Sequence, residues 1–190
     1  MPRTLAHTAA QQAWVDPLAD ALHRGLDTAF EKAGPRESTL RAWLHGEPFG
    51  HPLHAMLTDV PLGAWTSAMI FDAMSGRRGR QPWSSAARGA IGIGVAGAVL
   101  AAVTGLADWH AIDNRDARRI GLVHGLINTL GLAAFTLSLV RRQQPGRGRR
   151  SAAVGYALAI TAAQLGGALV YQQGIGVRSA DGETLQEPAA

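Results

Sequence analysis

Residues 89–107 read Gly-Ala-Ile-Gly-Ile-Gly-Val-Ala-Gly-Ala-Val-Leu-Ala-Ala-Val-Thr-Gly-Leu-Ala, 19 positions without one Asp, Glu, Lys or Arg. A helix needs about 20 mainly apolar residues to cross the hydrocarbon core of a bilayer. Two further windows have the same character, residues 120–140 (21 positions) and 151–177 (27 positions). None of the 18 basic and 14 acidic residues falls in the three windows. The mean hydropathy of +0.02 averages these windows with the charged segments between them and hides the division. The pattern excludes an ordinary water-soluble globule and predicts an all-α integral membrane protein.

Working outward, TM2 is expected at about 87–106, TM3 at 120–140 and TM4 at 152–173. A less apolar TM1 is expected at about 52–75. Pro52 suits the first position of a helix, but Asp59, Pro61 and Asp72 lie within the segment. An Asp near the helix centre costs about 2.5–3.5 kcal/mol on insertion scales, so hydropathy undercounts this span. The argument for it is topological. Of the 18 basic residues, 17 are Arg, and nine of these sit in two clusters: Arg77, Arg78, Arg80 and Arg88, then Arg141, Arg142, Arg147, Arg149 and Arg150. Arg clusters beside spans mark cytoplasmic loops, and four crossings put both on one side. The N-terminus, the 107–119 loop and the C-terminus are then outside a bacterial inner membrane. The clusters lack the aromatic interleaving of a single-strand binder, so the net charge of +4 points to topology and not to nucleic acid.

The domain reading is an N-terminal amphipathic, interfacial segment (1–50), a four-span membrane domain (51–178) and a flexible tail (179–190). In residues 11–33, Trp14, Leu18, Leu22, Leu26 and Phe30 recur every four positions among acids and bases. That predicts an amphipathic helix lying on the membrane or on the bundle. Gly34-Pro35 ends it, and residues 38–44 form a short second helix before Gly46. No apolar core followed by a cleavage site opens the chain, so no signal peptide is expected.

Setting His54 on His124, an offset of 70, brings Thr58 to Asn128, Leu62 to Leu132, Trp65 to Phe135 and Thr66 to Thr136. Each copy is followed by Arg-Arg and then Ser-Ala-Ala. The reading is a duplicated helical hairpin, a four-helix bundle with a pseudo-twofold along the membrane normal. TM2 and TM4 are rich in Gly and Ala, which permits close helix approach within the chain or in a homo-oligomer.

The topology puts His51, His54, Asp59, Asp108, His110, His124, Asn128, Gln164 and Tyr171 on the same side. Ionisable groups at membrane depth are functional candidates. His54 and His124 on equivalent helices suit a bis-His haem b. A transition metal (Zn, Cu or Fe) would instead recruit His51, His54, His124 and Asp59 or Asp108. Asn128, Gln164 and Tyr171 would support that cluster. A cofactor-free proton relay through Asp59, His124 and Asp108 is a third reading, and a network that only locks the helices is a fourth. His110 is expected to be a loop residue, Trp83 and Trp109 interfacial anchors, Trp65 and Phe135 packing groups, and Asp72 a partner of Arg77 or Arg88. The absence of Cys excludes disulfides, cysteine nucleophiles and cysteine-ligated clusters within these residues. No Gly-x-Ser-x-Gly elbow is present, and residues 89–97 lack the Lys-Ser/Thr ending of a phosphate loop.

Gly50-His51-Pro52-Leu53-His54, Pro61-Leu62-Gly63, Gly105-Leu106-Ala107-Asp108-Trp109, His124 with Asn128, and Gly166-Gly167-Ala168-Leu169-Val170-Tyr171 leading to Gly174-Ile175-Gly176-Val177 occur in this order. Over about residues 40–178 they resemble the bacterial membrane family known as domain of unknown function 2231. The resemblance implies a small four-span domain whose relatives sometimes carry a Rieske iron–sulfur domain after the last helix, and hence membrane electron transfer. Lacking Cys, this chain would need a Rieske-type or other redox partner as a separate polypeptide. It would be an accessory or electron-transfer subunit rather than a self-contained enzyme.

Overall fold

The computed structural model describes residues 4–76, 81–144 and 147–176. Among these are seven α-helices and no strand: α1 (Leu5–Ala10), α2 (Asp16–Glu31), α3 (Glu37–His45), α4 (Leu53–Ser75), α5 (Trp83–His110), α6 (Arg115–Arg141) and α7 (Arg149–Tyr171). The all-helical expectation holds. Three helices, α5, α6 and α7, are long and apolar enough to cross a membrane. In each, no more than a third of the most apolar window is buried, and Ile93, Leu100, Leu130, Val140 and Val154 point outward. In water such surfaces would drive association; in a bilayer they face lipid tails.

Helices run further than their apolar windows. The expected 107–119 loop shrinks to residues 111–114, because α5 continues to His110 and α6 begins at Arg115. A hydropathy window finds the part that cannot tolerate charge, whereas the helix itself continues to its caps. At α6 the cap is Asn114, whose side-chain oxygen accepts the Ala117 N–H at 2.9 Å. Helix α7 starts after Gly148, at φ +87°, where a Cβ would stand 2.6 Å from the Ser138 carbonyl oxygen. Only glycine fits there.

The closest helix pairs are α4 with α5 and α6 with α7; α5 against α6 and α4 against α7 join the two hairpins. The repeat extends into the second helix of each unit at an offset of 61, because the second connection is shorter. Trp65 fills the space that a Cβ on Gly94 would occupy, and Phe135 does the same at Gly155. These four positions are equivalent under the two offsets. Trp65 and Phe135 stack on each other, with centroids 4.0 Å apart and planes 13° from parallel. Both rings are buried in one cluster with Ala68, Ile91, Ala152 and Ala159, so both aromatics are core packing, as expected. About two turns further along, the equivalent pair is Asp72 and Arg142. Their side chains are buried and form a two-pronged ion pair. Asp72 also meets Arg149. The expected partner Arg88 does not bond it; Arg77 lies outside the described residues, as do Arg78, Arg80 and the 179–190 tail.

The N-terminal segment packs on the other end of these helices. Val15 and Ala19, with Leu22 and Leu26, cover Trp109, Ile112, Ala117 and Leu122. The buried stripe is therefore Val15, just before α2, with Ala19, Leu22, Leu26 and Phe30 on α2; Trp14 and Leu18 are exposed. A strict four-residue repeat advances about 40° per step on a helix of 3.6 residues per turn, so it walks off one face. Alternating steps of three and four remain on it. The single helix expected over 11–33 is also broken, with a short 3-10 turn at Ala13–Val15 before α2. Trp109 is not an interfacial anchor. It is buried under α2, and its indole N–H donates to the Arg118 carbonyl at 2.9 Å.

Candidate functional site

His54 lies in the first turn of α4 and His124 in the third turn of α6. Each imidazole reaches its hairpin partner in the same way. His54 Nδ1–H donates to the Ala101 carbonyl at 2.8 Å, and His124 Nδ1–H donates to the Ala162 carbonyl at 2.8 Å. A carbonyl oxygen only accepts, so it fixes the proton on Nδ1 and leaves the Nε2 lone pair of each neutral ring for another partner. Glycine makes this approach feasible. A Cβ at Gly105 would stand 2.7 Å from the His54 ring, and one at Gly166 3.1 Å from the His124 ring. Ala101 with Ala162 and Gly105 with Gly166 are again equivalent at the offset of 61.

The copies differ at Nε2. The Asn128 amide donates to His124 Nε2 at 3.0 Å. The position equivalent to Asn128 is Thr58, whose hydroxyl turns back to the Ala55 carbonyl at 2.7 Å, and no described residue bonds His54 Nε2.

The remaining expected residues are dispersed. His51 is exposed in the turn before α4, Asp59 is exposed on α4, and Gln164 and Tyr171 are exposed on α7. Tyr171 is 89% accessible. Asp108 accepts from His45 Nδ1 at 2.7 Å. Among the described residues no group of three or more His, Asp or Glu side chains comes together as a metal could require.

A second polar group, absent from the sequence reading, joins the N-terminal segment to this end. His110 is the last residue of α5 and not a loop residue. Its Nε2 bonds Asp27 at 2.8 Å, its Nδ1 accepts from Arg41 at 3.3 Å, and its ring stacks on His23 with centroids 4.9 Å apart. His23 also lies against Trp109, and its Nε2 is buried without a partner. Burial, followed by the charges of Arg118 and His110, pushes its pKa below the ordinary 6.5. Arg119 bonds both Asp16 carboxylate oxygens, at 2.8 and 2.7 Å, and holds that carboxyl below its usual range. The sequence signal was the topology, which puts the end of α5 and the start of α6 beside any segment docked on that side.

No curated protein and no solved structure matches the chain. A family model does, and its span takes in the paired histidines and the four long helices α4–α7 but not α1–α3. The match runs over residues 50–179, more than half of the chain, and its description is "Predicted membrane protein (DUF2231)"; the chain belongs to that family of membrane proteins, domain of unknown function 2231.

Proposed function

We propose that this chain is a four-span membrane subunit in which His54 and His124 hold a b-type haem, with a bare transition metal as the less suited occupant. In this reading α4 crosses the bilayer with α5–α7, completing a four-helix bundle. The Arg-rich end is cytoplasmic in a bacterial inner membrane, and both termini are outside. The observation that carries the reading is the equivalence of the two imidazoles. Both are anchored through Nδ1–H on a helix carbonyl, which is the outer-shell bond that orients a ligating histidine. The donor set also favours haem over a bare ion. Two imidazoles with no third His or carboxylate gathered beside them among the described residues would leave a metal ion short of protein ligands, whereas a haem would need only His54 and His124 from the protein. Bound there, the group would supply one-electron transfer; the protein orients the rings and surrounds them with apolar helix. His124 can ligate through Nε2 once the Asn128 amide moves aside. The electron would pass to or from a separate redox protein, Rieske-type among the choices.

The test is an oxidised and dithionite-reduced absorption spectrum of the detergent-purified protein from haem-sufficient cells, with elemental analysis. A Soret band that shifts on reduction and disappears in His54→Ala and in His124→Ala is the expected result. Stoichiometric Zn, Cu or Fe without that band moves the reading to the metal. A flat spectrum without metal overturns both. The Asn128 amide on His124 Nε2 favours a second reading, in which the histidines lock each hairpin of an assembly subunit. In that case both variants lose thermal stability and no cofactor. A colourless protein that carries protons or solute across liposomes would instead make it a transport module.

A further inference from the structure

At the end of the helices away from the histidines, α4 and α6 finish and α5 and α7 begin. A cavity of about 260 Å³ opens between them, far above the roughly 10–15 Å³ that one water requires. Four of its lining residues are arginines, Arg88, Arg142, Arg147 and Arg149, and only Asp72 is acidic. Arg142 takes both Asp72 oxygens. Arg149 donates to the Gly76 and Asp72 carbonyls, the last acceptors of α4, and has the same carboxylate 3.8 Å away. Arg88 and Arg147 have no ion pair among the described residues. One carboxylate therefore faces four guanidinium groups.

Two further observations point the same way. Among the described residues neither α5 nor α7 has a side-chain N-cap, so the N–H groups of the first turn and the positive ends of two long helices open at this end. Ser75, 1% accessible, lines the cavity, and its hydroxyl has no hydrogen-bond partner among the described residues. A buried hydroxyl left unpaired beside unneutralised guanidinium groups calls for an anion rich in acceptors. We infer that this cavity is a binding site for a phosphate group, held by Arg88, Arg147 and Arg149 with a hydrogen bond from Ser75. A phosphate carries enough oxygens to accept from several guanidinium forks and a hydroxyl together, which a single carboxylate does not. The phosphate is either the headgroup of an anionic phospholipid, which the position at the end of lipid-facing helices favours, or free inorganic phosphate.

The experiment uses the full chain, delipidated in detergent. Native mass spectrometry with phosphatidylglycerol or phosphatidylcholine reads the lipid arm, and calorimetry with inorganic phosphate reads the free-anion arm. Three variants are compared: Arg88→Gln with Arg147→Gln, Ser75→Ala, and Arg24→Gln with Arg36→Gln as an equal charge loss on exposed residues of the N-terminal segment. Arg88 and Arg147 are exposed, so the fold does not depend on them. One phosphatidylglycerol bound at least tenfold more weakly by the Arg88/Arg147 variant, several-fold more weakly by Ser75→Ala and normally by the Arg24/Arg36 variant is the expected result for the lipid. The same ranking with inorganic phosphate, without lipid retention, identifies the free anion. Equal losses in the two arginine pairs, or no saturable binding of either ligand, overturn the proposal.

Discussion

In the reading of a duplicated hairpin, Asp72 and Arg142, 70 positions apart like His54 and His124, are equivalent and meet across the axis that would relate the copies. Both side chains are under 10% accessible, and two guanidinium N–H groups bond the carboxylate. Replacing Asp72 by Asn leaves the Arg142 charge buried and uncompensated. Breaking a buried pair from one side costs about 3–5 kcal/mol. At about 2–4 °C per kcal/mol for a chain of this length, that is a fall of roughly 6–20 °C in Tm. Arg142→Gln should fall in the same range. The informative variant is the exchange, Asp72→Arg with Arg142→Asp. The equivalence makes position 142 face position 72 from the mirrored side, and Arg88 corresponds to Arg149, so a carboxylate at 142 finds a second arginine where Asp72 now finds one. The exchange should therefore regain at least half of what either single charge removal loses. The assay is thermal aggregation of the detergent-solubilised protein, followed by size-exclusion fluorescence. Single variants within a degree of wild type would refute the buried-pair argument. An exchange no more stable than the single variants would refute the claim that the axis makes these positions interchangeable.

The other predictions concern packing and docking. Gly105→Ala should cost about 1–3 kcal/mol by overpacking, because its Cβ would stand 2.7 Å from the His54 ring. Gly167→Ala, with nothing within 4 Å, should gain up to about 1 kcal/mol of helix propensity; Tm measurements on the two variants check the contrast. Arg119→Gln removes the guanidinium that holds Asp16 and the Ala10 carbonyl, and should expose α2 to trypsin at Arg24 while α4–α7 stay resistant. His23 has a depressed pKa in the docked state, so the undocked segment binds the proton more readily. Docking of α2 is then at full strength above about pH 6.5 and weakens as pH falls below it. Hydrogen exchange of the α2 amides should record that loss, and His23→Leu should flatten it.

The apolar windows placed α5, α6 and α7 because exclusion of charge is a property of lipid transfer that one stretch of chain declares by itself. They missed the helix ends, where Asp108, Arg115 and Arg118 sit at charge-tolerant depth and capping decides. Proximity in sequence points Asp72 to Arg77 or Arg88, whereas its carboxylate meets Arg142. The repeat already held the answer, since Asp72 and Arg142 are separated by the same 70 positions as His54 and His124. The His45–Asp108 and His110–Asp27 pairs were not legible, because both depend on how residues 4–50 dock and no periodicity encodes that. The strict four-residue spacing drifts around the helix: Leu22, Leu26 and Phe30 stay on the packed face, while Trp14 and Leu18 fall off it and Val15 and Ala19 take their place.

Where the duplication is kept and where it is broken separates architecture from specialisation. The histidines, their acceptor carbonyls and their glycines are kept in both copies, and each set closes one hairpin independently of the other. Contacts across the axis cannot be kept so freely. A residue that meets its own equivalent must be complementary to itself, which an aromatic ring is and a charge is not. Trp65 against Phe135 could therefore remain aromatic on both sides, while position 72 against 142 had to become acid on one side and base on the other. That enforced asymmetry has a consequence at the Arg-rich end. Asp72 draws in Arg142 and Arg149 from the second hairpin, whereas Arg88, at the offset-equivalent position of Arg149, meets no acid among the described residues. A surplus of positive charge beside an unpaired Ser75 hydroxyl is then a direct result of breaking the symmetry at one pair of positions. The same logic singles out Asn128: with Thr58 turned back on its own helix, the two histidines share an anchor but present unequal Nε2 atoms, so any ligand held between them meets one open ring and one that must first release an amide.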